Sequence, residues 1–184
     1  FDCLMIQGVR SIVLTISLMK ILMLGWELPP HHVGGLGIIS YQLSKALADS
    51  GADIDFVMPT SRPAVGVPEF MNVFYVDDQP AFEQADSKDY QGWKAYEQGS
   101  DPDDSWHVQQ EAYLNKTKEL LDKNQYDVIH AHDWLTFKAA LGAREHSGLP
   151  LVAHVHSSEF DRAGSIGSQR GAEWIHQIEE ETFN

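Results

Sequence analysis

Imidazoles, carboxylates and glycines gather at three places where strand-like runs of this sequence end. These are Val128-Ile129-His130-Ala131-His132-Asp133-Trp134, Leu151-Val152-Ala153-His154-Val155-His156, and Lys20 to Gly25 running on to Gly34-Gly35-Leu36-Gly37. Histidines two residues apart on a strand point to one face. His130 and His132 with Asp133, or His154 with His156, could therefore supply metal ligands, or hydrogen-bonding groups in a structural role. A hydrolase metal site needs further ligands in defined geometry, and both histidine runs read as central, doubly buried strands that enclose one member of each pair. Glycines after a strand let the backbone come close to a ligand and take conformations closed to other residues, while the helix behind them aims free amides at an anion. A phosphate or a sugar oxygen would fit there. The spacing matches neither G-x-G-x-x-G nor G-x-x-x-x-G-K-S/T, which counts against a dinucleotide or P-loop site and leaves a simple tight turn open.

The elements that must position these groups alternate. From Met19 the order reads strand, helix, strand: Leu36, Ile39, Leu43 and Leu47 lie near helical spacing, Gly51 is a stop, and Ile54 to Met58 is a strand closed by Pro59. Val73 to Val76 reads as a short strand, His107 to Lys123 as a helix, and Val128 to His132 as a strand. Thr136 to His146 then reads as a helix, Leu151 to His156 as a strand, and Ala172 to Phe183 as a last helix. Alternation of this kind predicts an α/β fold with a doubly wound, mostly parallel sheet. Ligands of such sheets bind beyond the carboxyl ends of the strands, so Gly34, Gly35, Asp133 and His156 are expected to line one cleft.

Size and charge narrow the function classes. A chain of 184 residues, 43% apolar, suits one domain with a real core. A formal charge of -14 produces a field that repels nucleic acid and anionic membranes, so neither is an expected partner. The single cysteine, Cys3, has no partner for an intrachain disulfide, which fits a reducing, cytoplasmic setting. Residues 1–18 are set apart as an extension or non-native leader. Arg10 ahead of the apolar run Ile12 to Leu18 looks like the start of a signal peptide, yet no small-residue cleavage site follows and the run is too short to span a bilayer. The domain is thus expected to occupy residues 19–184. Within it, residues 77–104 are strongly acidic and read as a solvated insertion. Phe82, Tyr90, Trp93, Tyr96 and Trp106 are interleaved there, so a sugar-contacting lip is the alternative.

Three motifs in order resemble those of one superfamily. Lys20-Ile21-Leu22-Met23-Leu24-Gly25-Trp26-Glu27, then Pro29-Pro30 and His32-Val33-Gly34-Gly35-Leu36-Gly37, is similar to the opening of glycogen and starch synthases and related retaining glycosyltransferases of the two-domain GT-B architecture. Asp127-Val128-Ile129-His130-Ala131-His132-Asp133-Trp134 resembles their "DVVHAHDW" strand, and Val155-His156 falls where they carry a "TVH" strand end. The resemblance implies a Rossmann-like amino-terminal, acceptor-side half of a GT-B enzyme. The activity implied is transfer of a sugar from a UDP-, ADP- or GDP-sugar to a glycan or small-molecule acceptor, with no metal ligand in this domain and no cofactor beyond the donor. It outranks the other reading of the chain, a stand-alone binding or metallohydrolase module using the His-x-His-Asp cluster.

Carried over by position, the resemblance places the Gly34 and Gly35 amides near the donor diphosphate, His156 in a hydrogen bond with the donor sugar, and Asp133 close to the reaction centre, ordering the acceptor side. His32 stands where glycogen and starch synthases carry lysine. A mostly neutral imidazole is a weaker phosphate partner than an ammonium, which counts against ADP-glucose-dependent glycogen synthesis. His132, Glu159 and Arg162 are possible cleft residues, an ordinary loop ion pair being the alternative for the last two. In the family a second α/β domain with an E-x7-E type signature holds the nucleotide. The chain ends at Asn184 before any such domain, so the implied expectation is a fragment inactive alone.

Overall fold

The structure is a computed structural model that describes residues 18–30, 34–59, 68–76, 104–163 and 170–184. His32, residues 1–17 and the acidic stretch up to residue 103 lie outside the described residues. The elements are β1 (Lys20–Leu24), α1 (Gly35–Asp49), β2 (Asp53–Met58), β3 (Asn72–Tyr75), α2 (Asp104–Lys123), β4 (Val128–His132), α3 (Trp134–Ser147), β5 (Leu151–His154), a short α4 (Glu159–Ala163) and α5 (Arg170–Phe183). The described strands form one sheet in the order β3-β2-β1-β4-β5, and every pairing is parallel. Strand order reverses between β1 and β4, which makes that junction the switch point where open α/β sheets take ligands.

Alternation along the strands builds two cores. Leu22, Leu24, Val57, Ile129 and Ala131 face one side, where Tyr113 and Leu120 of α2, Phe137 and Ala140 of α3 and Ile175 of α5 cover them. Ile21, Met23, Ile54, Phe56 and Met58 face the other, against Tyr41, Leu47 and Ala48 of α1. Each fully buried large side chain is worth about 1.5–3 kcal/mol, so these two layers fix the helices on the sheet and with them the positions of its strand ends. Tyr113 reinforces that edge: its hydroxyl lies 2.9 Å from the carbonyls of both Gly25 and Val57, bridging the ends of β1 and β2. Gly25 itself is required by packing, because a Cβ there would sit 2.0 Å from Cζ of buried Phe56.

Two expectations, on β5 and on Trp106, are corrected. The α1 helix forms where its apolar spacing placed it, with Leu36 and Leu47 packed against the cores, and it buries Gly37, Ser40 and Ser44 as well, while Ile39 is 44% exposed. A stripe of small residues lets the helix approach the sheet closely, and the Ser44 hydroxyl donates to the Ser40 carbonyl at 2.7 Å beside the Met23 sulfur at 3.0 Å. The β5 strand stops at His154 and forms the edge of the described sheet, with Val152 46% exposed, so it is not a doubly buried central strand. Trp106 is only 1% exposed and packs in the core against Trp26, Trp134 and Trp174, which removes it from any sugar-facing lip. Among the described residues no helix is long and apolar enough to cross a membrane.

Candidate active site at the carboxyl ends of β1, β4 and β5

The β4 strand ends in His132 and turns into α3 through Asp133, whose backbone is unusual. Its φ of 61° and ψ of 168° fall in a region that only glycine enters readily, a strain of about 1–3 kcal/mol for other residues. Four hydrogen bonds hold it there. The Asp133 N–H donates to the His154 carbonyl at 2.9 Å, and the Asp133 carbonyl accepts from both the backbone N–H and the hydroxyl of Thr136 at 3.0 Å. The carboxylate oxygen Oδ1 accepts the His156 N–H at 2.8 Å. Asp133 is thereby joined to the last residue of β5 and to the second residue beyond it, and the ends of β4 and β5 form one unit.

On the sheet face opposite the α2–α3 layer, the four histidines stand together. His130 and His132 stack at 4.7 Å, His154 and His156 at 4.4 Å, and the two pairs interleave across the strands, His132 lying 5.2 Å from both His154 and His156. Ring nitrogens meet as well. Nδ1 of His132 is 2.9 Å from Nε2 of His156, and Nε2 of His130 is 3.4 Å from Nδ1 of His154. Burial above all pushes the His130 imidazole down to about 4 and His132 down to about 2, with the neighbouring histidines adding to both. Burial also lowers His156, with His154 adding to the effect and Asp133 opposing it. These three rings are therefore uncharged at neutral pH.

Nitrogens of His130, His132 and His154 lie within 4.8 Å of one another, close enough to consider a cation. Their rings are nearly parallel, 11° to 25° between planes, and a metal must lie in the plane of every imidazole that binds it. Stacked rings point their lone pairs side by side rather than at one centre. The arrangement as it stands is a hydrogen-bonded stack.

Gly34 and Gly35 open α1, beyond the carboxyl end of β1 and beside the switch point. The expectation of a glycine-only conformation at Gly34 is corrected: its φ of -142° and ψ of -161° are open to any residue. What both glycines supply is room, since an added Cβ would meet nothing within 4 Å among the described residues. The first turn of α1 has no acidic side chain and no side-chain cap, which leaves its amides available to an anion.

Glu159 and Arg162 lie one loop past His156. Nε of Arg162 donates to Glu159 at 3.1 Å, its Nη2 lies 3.4 Å from Oε1 of Glu179, and its Nη1 donates to the Ser157 carbonyl. The Glu159 N–H is 3.0 Å from both oxygens of Glu179. Burial raises the Glu179 carboxyl, opposed by that N–H and by Arg162. One guanidinium thus bridges two buried carboxylates, and the loop ion pair proves to be a triad that staples α4 to α5. Glu179 had no signal in the sequence beyond its place in an amphipathic helix. A hollow of about 400 Å³, lined by Tyr126, Asp127 and His146, lies at the other end of β4, away from these groups.

The model of the starch synthase catalytic domain matches residues 20–183. An uncharacterized glycosyltransferase of Methanocaldococcus jannaschii is 30% identical over 168 residues, which cover 88% of this chain and 36% of the relative. A glycogen synthase of Mycobacterium tuberculosis is 30% identical over 170 residues, covering 88% of this chain and 39% of the relative. The chain thus spans well under half the length of these relatives. Among solved structures, sucrose-phosphate synthase from Thermosynechococcus elongatus superposes with a TM-score of 0.62 at 15% identity, over 89% of this chain and 40% of that one, which shows the shared GT-B-type fold. The chain belongs to the starch synthase catalytic domain family of glycosyltransferases.

Proposed function

We propose that this chain forms the acceptor-side wall of the cleft in a retaining glycosyltransferase, which moves a sugar from a nucleotide sugar to a glycan or small acceptor in the cytoplasm. The observation that carries the reading is the clasp of the His156 N–H by the strained Asp133, because it brings an imidazole-bearing residue and a carboxylate together at the carboxyl ends of β4 and β5. In this reading the amides of the first α1 turn, with Gly34 and Gly35 leaving space, receive the donor diphosphate. His156 donates a hydrogen bond to the donor sugar, and Asp133 orders the acceptor side. In this reading the positive charge that meets the nucleotide comes from a second domain, since burial keeps His130, His132 and His156 uncharged and the chain as a whole has a formal charge of -14. His32 in place of lysine supports a donor other than ADP-glucose. The metallohydrolase reading loses support from the stacked rings.

The test is His156→Ala in the longer enzyme that contains this chain. Removing one well-placed polar contact from a closed site should lower turnover roughly ten- to a thousandfold. Donor binding should weaken far less, because only a contact strengthened in the transition state accelerates the step. Full turnover in the variant, on donor and acceptor pairs the parent enzyme uses, would return His156 to a purely structural role.

A further inference from the structure

We propose that His132 is a positioning residue that fixes the tautomer of His156, so that Nδ1, the ring nitrogen of His156 not engaged by His132, carries the proton and is not a bare lone pair. Two neutral imidazoles whose nitrogens are 2.9 Å apart share one proton, and only two arrangements exist. In the first, His132 donates through Nδ1–H to Nε2 of His156; His156 then carries its own proton on Nδ1, and Nε2 of His132 is a bare lone pair. In the second, His156 donates through Nε2–H, and His132 must carry a bare N–H at its own Nε2.

The environment of His132 decides between them. Its ring is fully buried, and its Nε2 has no partner among the described residues. A buried N–H without an acceptor is the costlier orphan, because donors left bare are rarer in proteins than acceptors left bare. The first arrangement therefore holds. A doubly protonated ring would evade the choice, but burial and three neighbouring imidazoles keep His132 neutral. The frame is firm on each side: His156 stacks on His154 with 9° between planes, and its backbone N–H is held by Asp133.

The consequence concerns the ligand. Histidine free in water favours the Nε2–H form, so the stack enforces the minority tautomer. An Nδ1–H at His156 calls for an acceptor, such as a hydroxyl or ring oxygen of a sugar, whereas the other tautomer would offer only a lone pair. The use of that N–H rests on the glycosyltransferase reading above. The tautomer itself does not, because it can be read without any substrate.

The experiment is a long-range proton–nitrogen correlation spectrum of the imidazoles in the chain labelled with nitrogen-15 histidine, at neutral pH, with His156→Gln used for assignment. Expected are a protonated Nδ1 and a bare Nε2 at His156, and the same form at His132. A protonated Nε2 at His156 overturns the proposal. In His132→Phe, which keeps a ring and removes the donor, the His156 signals should shift to a mixture in which Nε2–H predominates. His132→Asn, which returns an N–H at the δ position, should restore Nδ1–H. Persistence of Nδ1–H in the phenylalanine variant, or its loss in the asparagine variant, would show that another group sets the tautomer. Should the phenylalanine variant fail to fold, the parent spectrum and the asparagine variant decide the matter.

Discussion

Replacing Asp133 with alanine and, separately, with glycine divides two contributions that the structure superimposes on one residue. Both variants lose the carboxylate that accepts the His156 N–H at 2.8 Å, a charge-assisted bond worth about 1.5–3 kcal/mol. They differ in what the backbone then bears. At φ 61° and ψ 168° alanine keeps a strain of about 1–3 kcal/mol, and glycine releases it at an unfolded-state cost of about 0.5–1 kcal/mol. Asp133 is also the N-cap of α3, where glycine is tolerated better than alanine. The expected order is thus glycine above alanine by about 1–2 kcal/mol. In a chain of 184 residues that is a difference of roughly 2–8 °C in Tm. Thermal and urea unfolding followed by circular dichroism would measure it. A control comes from Glu180 on the exposed side of α5, where alanine should exceed glycine by about 1 kcal/mol, the ordinary helix order. Should alanine equal or exceed glycine at position 133 too, the backbone is not held in that region, and the strained clasp is wrong.

Gly35→Val should leave the stability of the chain nearly unchanged, because a Cβ there meets no atom of the described residues within 4 Å, yet weaken donor binding and turnover together in the longer enzyme. Unfolding curves and donor titration separate the two effects, and unimpaired donor binding would refute a diphosphate at this turn. Arg162→Met strands two carboxylates, Glu159 at 1% and Glu179 at 3% exposed, and should cost about 3–5 kcal/mol at neutral pH. The loss should shrink in acid as the raised Glu179 takes up a proton; a variant as stable as the parent would show the triad to be idle. His130 and His132 titrate below the ordinary histidine range when folded, so the unfolded chain binds more protons once pH falls past about 6.5. Stability should therefore fall as pH drops from about 7 toward 5, by up to about 1.4 kcal/mol per pH unit for each histidine, and remain level above it. His130→Leu should flatten that slope, and an unchanged slope would mean that the ring is not buried neutral.

Strands and helices were legible wherever period and boundary signals coincided. The β4 strand runs over the predicted Val128 to His132, and α2, α3 and α5 each begin a few residues before the predicted start. Helix ends fray and caps carry weak signals, so those shifts are of the expected kind. The α1 helix shows what pattern reading leaves out. Its apolar spacing located the helix, and Leu36 and Leu47 do pack on the cores, but the residues it buries fully are Gly37, Ser40 and Ser44, and Ile39 stays 44% exposed. Hydropathy records which residues avoid water, and it is blind to how near two backbones come. The short α4 helix also passed unseen, since five residues give no period to read.

At the strand ends, the sequence showed that each histidine pair shares a face, because spacing along one strand is a local property. It could not show that the two pairs would interleave, since that depends on the register that sets His132 opposite His154. Register follows from the whole sheet, and one residue of slip would have turned a pair to the other face. The φ of Asp133 was equally out of reach: nothing in its neighbours requires a strained joint, and four hydrogen bonds from α3 and the β5 end impose it. Both features depend on contacts distant in sequence, and both act on His156, one through its backbone N–H and the other through its ring. A residue fixed at two points by groups that bear strain or burial to do so is constrained beyond what folding needs. That excess constraint on His156 is the physical ground for looking to it first when the chemistry of the cleft is tested.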